Sequence, residues 1–171
     1  MMSEIFSSPT FSIGELCVII CPYHRLVKGE KMKISTRGRY ALQMMVDLAQ
    51  HYGENCISLK DICERQHISK KYLEQIIPFL NKDRLLVSNM GHCGGYRISR
   101  APEEITVKEI FFSAEGSLTP IACLDISPNQ CSECNGCMML PVYEGLYDVI
   151  SEYLEGITLK DIVEGKVKKK N

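Results

Sequence analysis

The sequence predicts a mainly α-helical chain with a small β wing: a winged helix-turn-helix followed by a long dimerisation helix. Three observations carry that expectation. Residues 36–82 hold three amphipathic segments punctuated by serines, residues 85–99 hold two strand-like runs separated by glycines, and residues 142–154 carry one long apolar stripe.

In the first segment Ala41, Met44, Met45, Leu48 and Ala49 recur at the three-four spacing of one helix face, with Arg37, Arg39, Gln43, Asp47 and Gln50 off it. That spacing predicts a first helix of about 15 residues. Ser58 is placed to cap a short second helix over residues 59–64, with Asp61 three positions on as a short-chain capping box. Gln66-His67-Ile68 supplies the turn. Ser69 then caps a third helix, with Lys70, Lys71, Tyr72, Glu74 and Gln75 on its first turns and Leu73, Ile76, Ile77 and Leu80 toward a core. Pro78 should kink or shorten this helix, because its ring removes a backbone donor.

Two helices joined by a tight turn make a helix-turn-helix, whose second helix offers its N-terminal side chains to base edges while Ser and Lys groups near its cap can hold phosphates. Residues 85–88 and 96–99 are the strand-like runs, and Gly91, Gly94 and Gly95 between them favour a hairpin, the wing. Thr106 is placed to cap a helix through residue 115 with Val107, Ile110, Phe111 and Ala114 on its apolar face. Val142, Leu146, Val149, Ile150, Tyr153 and Leu154 form the long stripe. Little chain remains to cover that stripe, so it is expected to pair with a second subunit.

The expected organisation is therefore a non-native or disordered extension over residues 1–31, a winged helix-turn-helix DNA-binding domain over 32–100, a linking helix and Cys-rich sensor loop over 101–138, and a dimerisation helix with a basic tail over 139–171. Charge divides along the same line. Residues 32–100 carry eleven lysines and arginines against six acids, a net of +5, and residues 101–171 carry six against twelve, a net of −6. A basic half joined to an acidic half suggests a polyanion-binding module, here double-stranded DNA, with a separate second function.

Residues 13–21 are apolar but lack the preceding basic segment and the small-residue cleavage site of a signal peptide. Translation is expected to begin at Met32, because Lys28-Gly29-Glu30 can be encoded by a purine-rich ribosome-binding sequence just upstream. No later apolar run is long enough to cross a membrane, and the nine cysteines do not follow the spacing of a secreted disulfide scaffold. A reducing, cytoplasmic compartment follows. Neither G-x-S-x-G, H-E-x-x-H nor a phosphate-cradling Gly-Lys-Ser/Thr occurs, so an enzyme is not expected.

Cys123, Cys131, Cys134 and Cys137 lie within fifteen residues, separated by Asp125, Ser127, Pro128, Asn129, Glu133, Asn135 and Gly136. A buried cysteine behaves as a small hydrophobe among apolar neighbours; these sit in a polar loop that folds around something. Thiolate is a soft donor, which selects an iron-sulfur cluster, zinc or copper(I) over hard cations. Zinc usually takes two well-separated pairs, whereas these thiols come from one stretch, so the expected cofactor is an iron-sulfur cluster of two or four irons, with zinc as the alternative. Cys56, Cys63 and Cys93 are isolated and read as ordinary core or surface thiols.

The run from Met32 to Leu42, Met-Lys-Ile-Ser-Thr-Arg-Gly-Arg-Tyr-Ala-Leu, then Ile68-Ser-Lys-Lys-Tyr-Leu-Glu-Gln75, then Gly94-Gly95-Tyr96 and the cysteine loop resemble the Rrf-type winged-helix repressors that include IscR, NsrR and CymR. The resemblance covers about residues 32–164. It implies a homodimeric bacterial transcription factor that sets two third helices in successive major grooves of a palindromic operator. It also implies sensing of iron-sulfur status, redox state or nitric oxide through the cluster. By the same resemblance Ser69, Tyr72, Glu74 and Gln75 fall on the recognition helix, with the Glu position discriminating between operator types.

The full expected DNA-binding set is Arg37, Arg39, Ser69, Lys70, Lys71, Tyr72, Glu74, Gln75 and Arg97. In the wing, Met90-Gly91-His92-Cys93-Gly94-Gly95-Tyr96 lacks the family's arginine, which leaves Arg97 or Arg100 either to contact phosphate or to stand as solvated charges. The family's three sensing cysteines match Cys123, Cys131 and Cys137, and Cys134 is additional. Leu140 and Arg39 stand where relatives place a His or an Asp ligand, so Cys134 and Asp125 are the candidates for a fourth. Two other readings stay open at this point: a zinc-stabilised or metal-free thiol regulator, and a small iron-sulfur electron-transfer protein.

Overall fold

The computed structural model describes residues 34–54, 56–89, 91, 94–125, 131 and 136–169. The expectations for residues 1–31, for the wing tip at Met90, His92 and Cys93, and for Cys134 lie outside the described residues. Helix α1, Thr36–Gln50, is capped by Ser35, whose Oγ accepts from the backbone N–H groups of Arg37 and Gly38 at 3.1 and 3.2 Å. Its inner face, Ala41, Met44, Met45 and Leu48, is buried as the spacing required. Helix α2, Leu59–Gln66, begins at Ser58, which accepts from the Asp61 N–H at 3.2 Å, and ends at His67 in the left-handed region, φ 53°.

Helix α3, Lys70–Lys82, is not cut short at Pro78. It runs four residues further because Ile76, Ile77 and Leu80 anchor both sides of the proline in the core while Pro78 itself faces outward. Ser69 stands at the cap position with extended backbone, but its hydroxyl makes no cap hydrogen bond. The cap position is as expected, but the expected side-chain hydrogen bond is not made.

Strands β1, Leu86–Asn89, and β2, Gly95–Ile98, pair antiparallel with Leu86 opposite Ile98 and Asn89 opposite Gly95. Ile57, just ahead of α2, exchanges two backbone hydrogen bonds with Tyr96, at 2.9 and 2.8 Å, so the wing is stitched to the helix-turn-helix. Gly95 permits this approach: a Cβ there would lie 2.3 Å from the Ile57 carbonyl oxygen.

After a 3₁₀ turn over Pro102–Glu104, helix α4, Val107–Glu115, opens with the full Thr106/Glu109 capping box and closes at Gly116, φ 84°. Helix α5, Leu140–Glu155, is the long helix. A short helix α6, Leu159–Val163, follows, and it was not expected. Its signal was legible as Thr158-x-x-Asp161, a second capping box whose Thr158 Oγ1 accepts from the Asp161 N–H at 3.2 Å.

Backbone bonds from Val107 to Ile157 and from Leu159 to Ile105, 2.9 and 3.0 Å, return the chain to the winged unit, and Leu159 is fully buried there. One core thus draws on α1, α2, α3, β1, β2, α4 and α6, while no residue of α5 is buried.

Candidate nucleic-acid interface and thiol loop

Leu73, Ile76, Ile77 and Leu80 of α3 point into the core, so Lys70, Lys71, Glu74 and Gln75 are left exposed, with the Ser69 hydroxyl at the helix start. Lys70 and Glu74 form a 3.5 Å pair along the helix, too exposed to add much stability. Tyr72 is steered by α1: its ring meets Tyr40 edge-to-face, centroids 5.2 Å apart at 87°, and the Arg39 guanidinium lies 5.4 Å above the Tyr40 ring. Arg39, Tyr40 and Tyr72 therefore form one continuous surface bridging two helices. The role of Tyr40 was not legible, because no local spacing in sequence links it to Tyr72.

Arg37 differs from the other expected cations. Its Nη2 is 3.9 Å from Glu115 Oε2, its guanidinium lies 4.9 Å over the Phe79 ring, and its Nε is buried without a hydrogen-bond partner. Arg97 projects exposed from β2, whereas Arg100 donates to Glu109 Oε1 at 2.8 Å and so is held by α4. Burial raises the Glu109 carboxyl, but the Arg100 hydrogen bond and charge with the Thr106 cap outweigh it, and its pKa lies below the ordinary glutamate value.

Beneath this surface Asp47 is buried to 1 % exposure on α1. Arg65 Nε and Nη2 donate to its two oxygens at 2.9 and 2.6 Å, and Gln66 Nε2 donates at 3.0 Å. Burial pushes its pKa up, yet these donors and the Arg65 charge bring it below the ordinary aspartate value. The result is a clamp tying α1 to the end of α2, directly before the turn that aims α3. His51 is likewise committed, with Nδ1 2.8 Å from the Asp47 carbonyl oxygen.

The thiol loop leaves α4 at Gly116. Ser117 and Thr119 both donate hydroxyl hydrogen bonds to Asp125 Oδ1, a knot that closes the segment around Cys123 in the 3₁₀ turn Ala122–Leu124. Asp125, expected as one candidate fourth ligand, is engaged by these hydroxyls. Cys123, Cys131 and Cys137 are all half-buried, and the Cys137 carbonyl accepts from the Leu140 N–H at 3.2 Å where α5 begins. The donor chemistry suits a soft metal or cluster, but among the described residues no three Cys, His, Asp or Glu side chains are gathered to hold an ion. Cys56 and Cys63 are half-buried, and burial pushes the Cys63 thiol up.

On α5, Val142, Leu146, Val149 and Tyr153 stand 37–61 % exposed at offsets of four, three and four. Among the described residues no helix is long and apolar enough to cross a membrane.

Comparison with known proteins agrees with this geometry. The family described as "Rrf2: Iron-dependent Transcriptional regulator" matches residues 34–165. Protein rrf2 of Nitratidesulfovibrio vulgaris is 33 % identical over 132 residues, covering 77 % of this chain and 87 % of that protein. The solved structure of T. potens IscR is 37 % identical with a TM-score of 0.62, over 81 % of this chain and 93 % of that one. That of CymR, the global cysteine regulator of B. subtilis, is 32 % identical with a TM-score of 0.64, over 78 % and 97 %. These relatives are regulators and not enzymes. With the helix-turn-helix, the stitched wing and the long helix in place, the chain belongs to the Rrf2 family of winged-helix transcriptional regulators.

Proposed function

We propose that the protein works as a cytoplasmic homodimer that binds a palindromic DNA operator and adjusts that binding to the state of its thiol loop, as an IscR- or NsrR-type sensor. The observation that carries this reading is the polar first half of α3, held outward by its buried Leu73, Ile76, Ile77 and Leu80. Lys70, Lys71 and the Ser69 hydroxyl supply phosphate contacts, while Tyr72, Glu74 and Gln75 supply base-edge contacts. Arg39 extends the basic surface from α1, and Arg97 extends it from the wing. The exposed stripe of α5 pairs with its copy in a second subunit, setting the spacing of two reading heads.

Cys123, Cys131 and Cys137, with Cys134 as candidate fourth ligand, would hold an iron-sulfur cluster, which supplies a redox- and nitric-oxide-sensitive group when bound. This chain's own part is to keep Cys123, Cys131 and Cys137 half-buried, with the Cys137 carbonyl hydrogen-bonded to the start of α5. A regulatory change of about 100-fold in affinity needs only about 2.7 kcal/mol of differential binding, within reach of a few phosphate contacts. A second reading, a metal-free thiol sensor, is supported by the likeness to CymR, the global cysteine regulator of B. subtilis; zinc in place of the cluster would leave the protein colourless.

Anaerobic purification with absorption spectroscopy and iron and sulfide assay decides between these. The cluster reading expects a coloured protein that loses iron in Cys137→Ala. An iron-free protein whose DNA affinity still follows thiol oxidation supports the metal-free reading, and one indifferent to both ends the sensing proposal.

A further inference from the structure

Arg37 sits among the cations of the DNA-facing half, yet its surroundings are those of an internal tie. Its guanidinium is stacked on Phe79 of α3 at 4.9 Å, its Nη2 faces Glu115 at 3.9 Å, and its Nε is turned into a buried position without a partner. Glu115 comes from the last residue of α4 and is only 15 % exposed. Its Oε1 accepts from the backbone N–H of Ser35 at 2.9 Å, so a carboxylate occupies the positive end of α1.

Gly38 makes the room: a Cβ at that position would lie 2.2 Å from Glu115 Oε1. Helix α4 thus grips the start of α1 through a glycine notch, and α1 in turn props α3 through Arg37 and Phe79. Such an arrangement fixes the angle at which the reading helix leaves the core. It also consumes the charge that a phosphate would otherwise meet.

We propose that Glu115 and Arg37 are positioning residues for DNA recognition, an internal brace that sets α3 from behind, and that Arg37 neutralises no phosphate. The proposal rests on the DNA-binding reading above. Glu115 is also the residue from which the chain turns, at Gly116, into the thiol loop, so the brace joins that loop to the reading helix.

Five variants of the whole chain test it: Arg37→Gln removes the stacked cation, Glu115→Gln keeps an acceptor for Ser35 but removes the charge, Gly38→Ala fills the notch, and the double Arg37→Gln, Glu115→Gln and Arg37→Lys complete the set. The clash in Gly38→Ala is with the far end of the Glu115 side chain and not with backbone, and alanine favours the helix over glycine, which offsets the lost contact; a melting temperature near that of wild type then separates loss of the brace from unfolding. Affinity is measured across salt concentrations on a duplex that the wild-type protein selects from a random pool. The brace predicts a loss of about 5- to 10-fold in each variant with an unchanged salt slope, a double Arg37→Gln, Glu115→Gln variant no weaker than the worse single, and no rescue by Arg37→Lys.

A salt slope shallower by about 0.9 in Arg37→Gln would make Arg37 a phosphate contact and overturn the proposal. Rescue by Arg37→Lys, additive losses, or wild-type affinity in Gly38→Ala would overturn it as well. Wild-type protein that shows no salt-sensitive duplex binding would instead remove the reading on which the brace rests.

Discussion

Asp47 carries its charge in the core because Arg65 and Gln66 saturate both of its oxygens, and the side chain gives the clearest pH prediction. A carboxyl whose folded pKa lies below its unfolded value contributes stability above the unfolded value, about 3.9, and loses it as pH falls through the folded value. Asp47→Asn should therefore cost about 1–2 kcal/mol at pH 7, discounted from a fully buried pair because Arg65 is more than a third exposed. The gap from wild type should begin to narrow below about pH 4 and go on closing as pH falls through the lowered folded value, as read by urea unfolding at pH 7 and along a series below about pH 4; a gap independent of pH would contradict the assignment. Gly95→Ala meets backbone and not a flexible side-chain end, so the wing has to lift from Ile57. Hydrogen exchange at the Ile57 and Tyr96 amides should speed up by about 10-fold or more, and unchanged protection would refute the stitch.

Among the elements, those with local signals were legible. Ser58-x-x-Asp61 announced α2, the Thr106 cap with the apolar face behind it announced α4, and the Met44–Met45–Leu48 face announced α1, because a cap or a periodic face is decided within a few residues. Pro78 misled, since the core contacts on both sides of it hold the helix together against the lost hydrogen bond. Helix α6 was missed because five residues are too few to show a period, although its capping box was present. The exposed stripe of α5 has a direct test. Leu146→Asp with Val149→Asp should convert a dimer to a folded monomer in sedimentation analysis, with the melting of the winged unit little changed, since no α5 residue belongs to its core. A monomeric wild type would dispose of the pairing.

For the whole molecule, helix α4 holds the start of α1 through Glu115 and leads from Gly116 directly into the thiol loop. Arg97 stands free on the wing, in contrast to Arg37, so Arg97→Ala should flatten the salt dependence of binding by about 0.9 without altering stability. A binding titration across ionic strength reads this directly, and an unchanged slope would reassign Arg97 as a solvated charge. Arg37 and Arg97 thus make opposite predictions in one assay.

The sequence by itself determined the winged helix-turn-helix, the residues offered by the third helix, the concentration of thiols and the long apolar stripe, because periodicity, capping and loop chemistry act between near neighbours. Only the tertiary structure decided that Arg37 lies against Phe79 and Glu115, that Asp47 is clamped, that Asp125 is held by Ser117 and Thr119, and that α6 returns to the winged core. The Ser35–Glu115 contact spans 80 residues. Contacts across such distances depend on how faces pack, and no spacing along the chain encodes which charge will meet which.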